Sequence, residues 1–207
     1  MKKPSEAGAS KAGRALLRAD RKTAAAALRH EDSLPVRLLE HVADLGDQPP
    51  MRILCGSVIA VGLFGGNRRL AIAGVRMLAA HTLATLVKDA VKHRVDRTRP
   101  RSLDKPGKDA RPRPGDSEAK EETSFPSGHS AGAAAVARAF ARSYPEHALP
   151  AYAAASILAL AQIPRCAHYP TDVGAGLAIG VAAEKAVDVA EGLAFSYAAN
   201  AHPDRSS

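Results

Sequence analysis

Apolar positions along the chain recur at helical spacing, and strand-like alternation is missing over any useful length. Residues 11–28 are basic and alanine-rich, with helical propensity but little apolar face. Residues 35–45 are amphipathic: Leu38, Leu39, Val42 and Leu45 share one face, and Gly46 stops the run. After a break at Gln48, Pro49 and Pro50, residues 51–64 form the first strongly apolar helix. Gly65, Gly66 and Asn67 then turn the chain into a second helix over 70–91. Residues 92–122 change character: Arg, Lys, Asp, Pro and Gly dominate, with Pro100, Pro106, Pro112 and Pro114, which predicts a long loop with no core of its own. Helical patterning returns over 127–142, 150–163 and 171–193, followed by a polar tail.

The pattern predicts an all-α fold, a bundle of about five to six helices with its chemistry at helix ends. It divides into a flexible basic arm (1–33), a helical domain (34–195) carrying a flexible loop (101–122), and a polar tail (196–207). The longest charge-free apolar stretches, 53–67 and 147–164, have 15 and 18 residues, below the roughly 20 of a spanning helix. Segments 70–87, 130–140 and 173–189 are apolar apart from Arg76 and His81, Arg138, and Glu184, Lys185 and Asp188 respectively. Five such segments in a row favour a membrane-embedded bundle over a soluble one, because a bundle can hide single charges inside itself.

Composition narrows the function. The chain has 207 residues, 46% of them apolar, which excludes a wholly disordered chain. Lys and Arg exceed Asp and Glu by 29 to 21, a net charge of +8 that calls for an anionic partner. Aromatic residues are 4% and Trp is absent, so base-stacking platforms are not expected and nucleic acid is not the partner. Cys55 and Cys166 make neither a disulfide framework nor a four-thiolate zinc site and read as small core residues. His30, His41, His81, His93 and His147 are scattered without metal-ligand spacing. No apolar run follows the N-terminal Met-Lys-Lys, so a cleavable secretory signal is not expected.

Three short segments concentrate chemistry at predicted helix ends: Lys92 to Pro100, Pro126-Ser127-Gly128-His129, and His168 to Asp172. Together they supply cations, a helix N-terminus with a glycine, two histidines and a carboxylate. A phosphate needs several positive donors, which Arg offers as a planar fork and Lys as a point charge. Free N–H groups at the start of the Ser127 helix add donors, and Gly128 lets the backbone approach the anion. One histidine can attack phosphorus while the other protonates the leaving oxygen. Asp172, four residues after His168, can face it on a helical turn and hold its tautomer. That scheme needs no metal and no cofactor.

The three segments resemble the tripartite signature of the phosphatidic acid phosphatase type 2 family, which is related to vanadium haloperoxidases and class A acid phosphatases. The signature reads Lys-x6-Arg-Pro, Pro-Ser-Gly-His, then Ser-Arg-x5-His-x3-Asp. Lys92 with Arg99-Pro100, residues Pro126 to His129, and His168 with Asp172 match it in order. Where the signature has Ser-Arg, this chain has Ala161-Gln162; Arg165 lies three residues further on. The resemblance implies a phosphohistidine formed on His168, oriented by Asp172, with His129 as general acid. It implies that Lys92, Arg99, Ser127, Gly128 and, in place of the missing arginine, Arg165 hold the phosphoryl oxygens. The implied reaction is metal-independent hydrolysis of a phosphate or pyrophosphate ester, with a lipid phosphate or other phosphomonoester as substrate and a membrane as setting. Its alternatives are a non-catalytic anion or lipid-headgroup binder and a vanadate-dependent haloperoxidase-like enzyme.

Charge also bears on orientation. Residues 1–52 hold ten Lys and Arg, and residues 88–122 hold eleven. If the five apolar segments span, both stretches fall on the side of the His168 loop, which the positive-inside rule places on the cytoplasmic face of the cell membrane.

Overall fold

A computed structural model describes residues 10–106 and 108–201 of the chain. Residues 1–9 of the basic arm and 202–207 of the tail lie outside the described residues. Seven α-helices follow one another: α1 (Lys11–Leu28), α2 (Leu34–Asp44), α3 (Gln48–Phe64), α4 (Arg68–Lys92), α5 (Gly128–Ser143), α6 (Ala148–Leu160) and α7 (Pro170–Ala201). The all-α class expected from the sequence is observed.

Helix α5 is the hub. It packs against α4, α6 and α7, while α3 lies on α4. Eleven of the sixteen α5 residues are buried, seven of them alanine, so neighbouring backbones come close. Gly176 and Gly180 on α7 show how close: a Cβ there would fall 2.4 Å from the Ser127 carbonyl oxygen and 2.3 Å from that of Ala131. Met51, Cys55, Met77, Ala84 and Ala183 fill the rest of the core. Both cysteines are free and buried.

Proline explains most boundary differences. Pro49 and Pro50, expected as a break, sit in the first turn of α3, where a missing N–H costs nothing. Pro35 and Pro170 likewise open α2 and α7. Helix α6 ends at Leu160 rather than 163, and a series of turns carries the chain to Pro170. Helix α7 runs on to Ala201, so residues 196–201, expected as tail, are helical.

Two larger differences lie near the site. Residues 11–28, expected in a flexible arm, form a helix anchored by Asp20, which is 2% exposed. The 92–122 connection, expected to lack a core, is packed. Val95–Asp96 (β1) pairs antiparallel with Arg113–Pro114 (β2). Ala110 sits with Ala24 and Tyr169 in a small second core against Leu17 and Leu103. Buried Glu122 accepts hydrogen bonds from Thr98, Lys108 and Arg113. Too few apolar residues mark this packing in sequence, because polar pairs do the holding.

The outside of the bundle is apolar over much of its area. Phe64 is 93% exposed and Leu149 81%, and Ile53, Val61, Leu86, Ile157 and Phe195 also face outward. Among the described residues, only α4 is both long and apolar enough to cross a membrane; α3 is apolar but shorter. Several charges within the apolar segments pair between helices: Arg138 and Arg142 each lie 2.9 Å from buried Glu184, and Arg76 lies 3.0 Å from Glu191, while Lys185 faces outward.

Candidate active site

The exit of α4 and the entrances of α5 and α7 meet at one end of the bundle, around a cavity of about 260 Å³. Lys88 and Lys92 reach it from the last turns of α4, and Arg99, Arg101 and Lys120 from the connection. Gly128 and His129 enter from α5, and Gln162, Arg165, Ala167 and His168 from the link between α6 and α7. The α2–α3 corner closes the cavity with Asp44, Gly46, Asp47 and Gln48. Six of the eight residues expected at the site therefore line one space: Lys92, Arg99, Gly128, His129, Arg165 and His168.

His168 is the most deeply set of these. Its Nδ1 lies 2.6 Å from the carbonyl oxygen of Ser124. A carbonyl can only accept, so Nδ1 carries the proton and Nε2 keeps its lone pair. Burial pushes the imidazole down to about 4. Asp172 does not hold the ring directly, as the i, i+4 spacing had suggested, because its nearer oxygen is 3.8 Å from Nδ1. Instead that oxygen accepts from Ser124 Oγ at 2.6 Å and from the Tyr169 N–H at 2.9 Å. Its other oxygen is paired with Arg97. Asp172 thus fixes Ser124, whose carbonyl fixes His168, and adds negative charge nearby.

The cations are held from behind. Lys92 Nζ donates to the Thr123 carbonyl at 2.7 Å, and Arg99 Nε to that of Lys120 at 2.7 Å. Arg165 Nη2 lies 3.2 Å from Asp44, while its Nε and Nη1 are buried with no hydrogen-bond partner. Gln162, 1% exposed, donates back to the Leu158 carbonyl at 3.2 Å. His129 Nε2 is 3.0 Å from Asp47 Oδ1. At position 46 a Cβ would fall 2.9 Å from His129 Cδ2, so a larger residue there would press on the His129 ring.

Ser127 and Asp172 do not line the cavity. Ser127 is fully buried and caps α5, its Oγ 2.9 Å from that of Ser130 and accepting from the Ser130 N–H. Sequence reasoning missed Lys88, although it lies one turn before Lys92 on the same helix face. It also missed Ser124, Arg97 and Asp20. Arg97 stood inside the Lys-x6-Arg stretch as a spacer position; nothing in the pattern singled out the other two.

A cavity with this many cations, a bare imidazole nitrogen and a helix N-terminus suits a tetrahedral oxyanion. Comparison with known proteins bears on that chemistry. A search of curated proteins finds no match. A solved structure described as the first transmembrane PAP2 type phosphatidylglycerolphosphate phosphatase, from Bacillus subtilis, has the same fold. It superposes with a TM-score of 0.62 at 20% identity, covering 88% of this chain and 87% of that one. The family model of the PAP2 superfamily matches residues 73–189, which contain all three chemical segments. The chain belongs to the PAP2 superfamily.

Proposed function

We propose that this protein is a metal-independent phosphatase that hydrolyses a lipid phosphate ester, or a pyrophosphate ester, through a phosphohistidine on His168. The observation that carries this reading is the convergence of Lys92, Arg99, Arg165 and His129 on the cavity that holds a neutral His168. In the proposed reaction His168 Nε2 attacks phosphorus and the bond to the ester oxygen breaks. His129, protonated in the substrate complex, gives its proton to the departing alkoxide; burial holds its imidazole below the ordinary histidine range against the opposing charge of Asp47, which makes that proton easier to give. Water then attacks the phosphohistidine, His129 takes a proton from it, and inorganic phosphate leaves with His168 restored. The cations offset the charge gathering on the equatorial oxygens, and the Gly128 end of α5 faces the same space.

A lipid substrate is supported by the apolar outer surface and by the transmembrane relative of the same fold. In the membrane reading the charged network of α4, α5 and α7 stays inside the bundle, as such residues do in lipid. One observation favours a second reading, a non-catalytic binder of phosphate headgroups: Gln162 stands where the family signature has arginine.

The experiment is phosphate release from short-chain phosphatidate and from phosphatidylglycerol phosphate in detergent, with EDTA present, comparing wild type with His168→Ala. Turnover that vanishes in the variant and yields to orthovanadate supports the phosphatase. Phosphatidate binding without turnover in wild type selects the binder.

A further inference from the structure

We infer that Asp20, on a helix outside the region matched by the family, is a positioning residue for the His168 site, acting through Arg97 and Asp172. The inference rests on the phosphatase reading and extends it to the N-terminal helix.

Arg97 is 1% exposed, and every one of its nitrogens is engaged. Nε donates to the Ala110 carbonyl at 2.8 Å, and Nη1 to Thr171 Oγ1 at 2.7 Å and to Asp172 Oδ1. Nη2 donates to Asp20 Oδ2 at 2.7 Å. The face of the guanidinium lies 4.0 Å from the centre of the Tyr169 ring. Asp20 also accepts from the backbone N–H of Thr171 at 3.2 Å and from the Thr171 hydroxyl. One carboxylate of α1 therefore grips both the arginine that holds Asp172 and the residue next to Asp172 in the chain.

Charge explains why two carboxylates are needed. A lone buried Arg97–Asp172 pair would spend the whole guanidinium on Asp172, leaving little negative potential at His168. Asp20 shares that cation, so the buried trio carries a net charge of −1 beside the ring that becomes cationic when it bonds to phosphorus. The same contact fixes the guanidinium plane, because Nε, Nη1 and Nη2 are then all held by acceptors. The chain of support runs Asp20, Arg97, Asp172, Ser124, His168.

Asp20→Asn keeps the shape and removes the charge; Asp20→Glu keeps the charge. With dioctanoyl phosphatidate in detergent, Asp20→Asn is expected to lower kcat roughly tenfold with KM within about twofold, the scale on which outer-shell partners act. Asp20→Glu is expected to recover part of the loss. Combined with Asp172→Asn, Asp20→Asn is expected to cost almost nothing further, since residues acting along one route are not additive. A thermal melt of each variant accompanies the kinetics, and a purely architectural Asp20 would lower the melting temperature and multiply its losses onto the Asp172 background. That multiplication, or an Asp20→Asn enzyme with wild-type kcat, overturns the inference while leaving the phosphatase intact. A wild type no more active than His168→Ala overturns both.

Discussion

Burial of His168 fixes its pH behaviour. An imidazole with an ordinary value near 6.5, lowered to about 4, is neutral across the physiological range, the state that the proposed attack on phosphorus needs. The acidic limb of kcat/KM assigned to this residue is expected near pH 4, and a limb near 6.5 in single-turnover kinetics would contradict the assignment. The sign for stability follows. Unfolded His168 takes a proton below about 6.5 and the folded residue does not, so its contribution is complete above that pH and fades as pH falls through about 4. Arg165 offers a second test at this scale. Its unpartnered Nε and Nη1 are suited to an incoming oxyanion, so Arg165→Ala is expected to weaken orthovanadate inhibition about tenfold or more, as loss of a charge-assisted bond does. The histidines, Lys92 and Arg99 were legible because motif spacing marks them. Asp20 was not, because its partner Arg97 lies 77 residues away and a single buried ion pair leaves no periodic trace.

Helices were the easiest elements to read: α2 has a clear apolar face, and α3 through α7 are long apolar or alanine-rich runs bounded by glycine, proline and polar residues. Their ends were harder, because proline reads as a stop in sequence yet opens a helix when it falls in the first turn. Ser127 belongs to this scale. With its hydroxyl committed to the start of α5, Ser127→Ala is expected to cost about 1 kcal/mol in denaturant unfolding, the usual loss of an N-cap. The close approach of α5 and α7 allows a sharper test. Gly180→Val places branched carbons where a Cβ alone would be 2.3 Å from the Ala131 carbonyl, and a destabilisation of about 1–3 kcal/mol is expected from forcing the helices apart. Thermal unfolding equal to wild type would refute that packing.

The molecule as a whole joins a charged end to an apolar body. Helix α1 turns Lys11, Arg18 and Lys22 outward at the charged end, and α2 beside the cavity exposes Leu34, Leu38 and Val42. Binding of the purified protein to phosphatidylglycerol vesicles is expected to exceed binding to phosphatidylcholine vesicles, with the difference shrinking as salt rises from 0.05 to about 0.5 M. Flotation assays check it. The α2–α3 corner has a kinetic meaning of its own. Its Asp44 and Asp47 rest against Arg165 and His129, so a departing phosphate leaves behind cations that already have counter-charges within reach. Re-entry must displace those carboxylates again, which disfavours a small free dianion more than a substrate that also brings apolar surface. In the proposed reaction the corner would then act as an internal competitor for the cations, and free phosphate is expected to inhibit the enzyme more weakly than a lipid phosphate binds it.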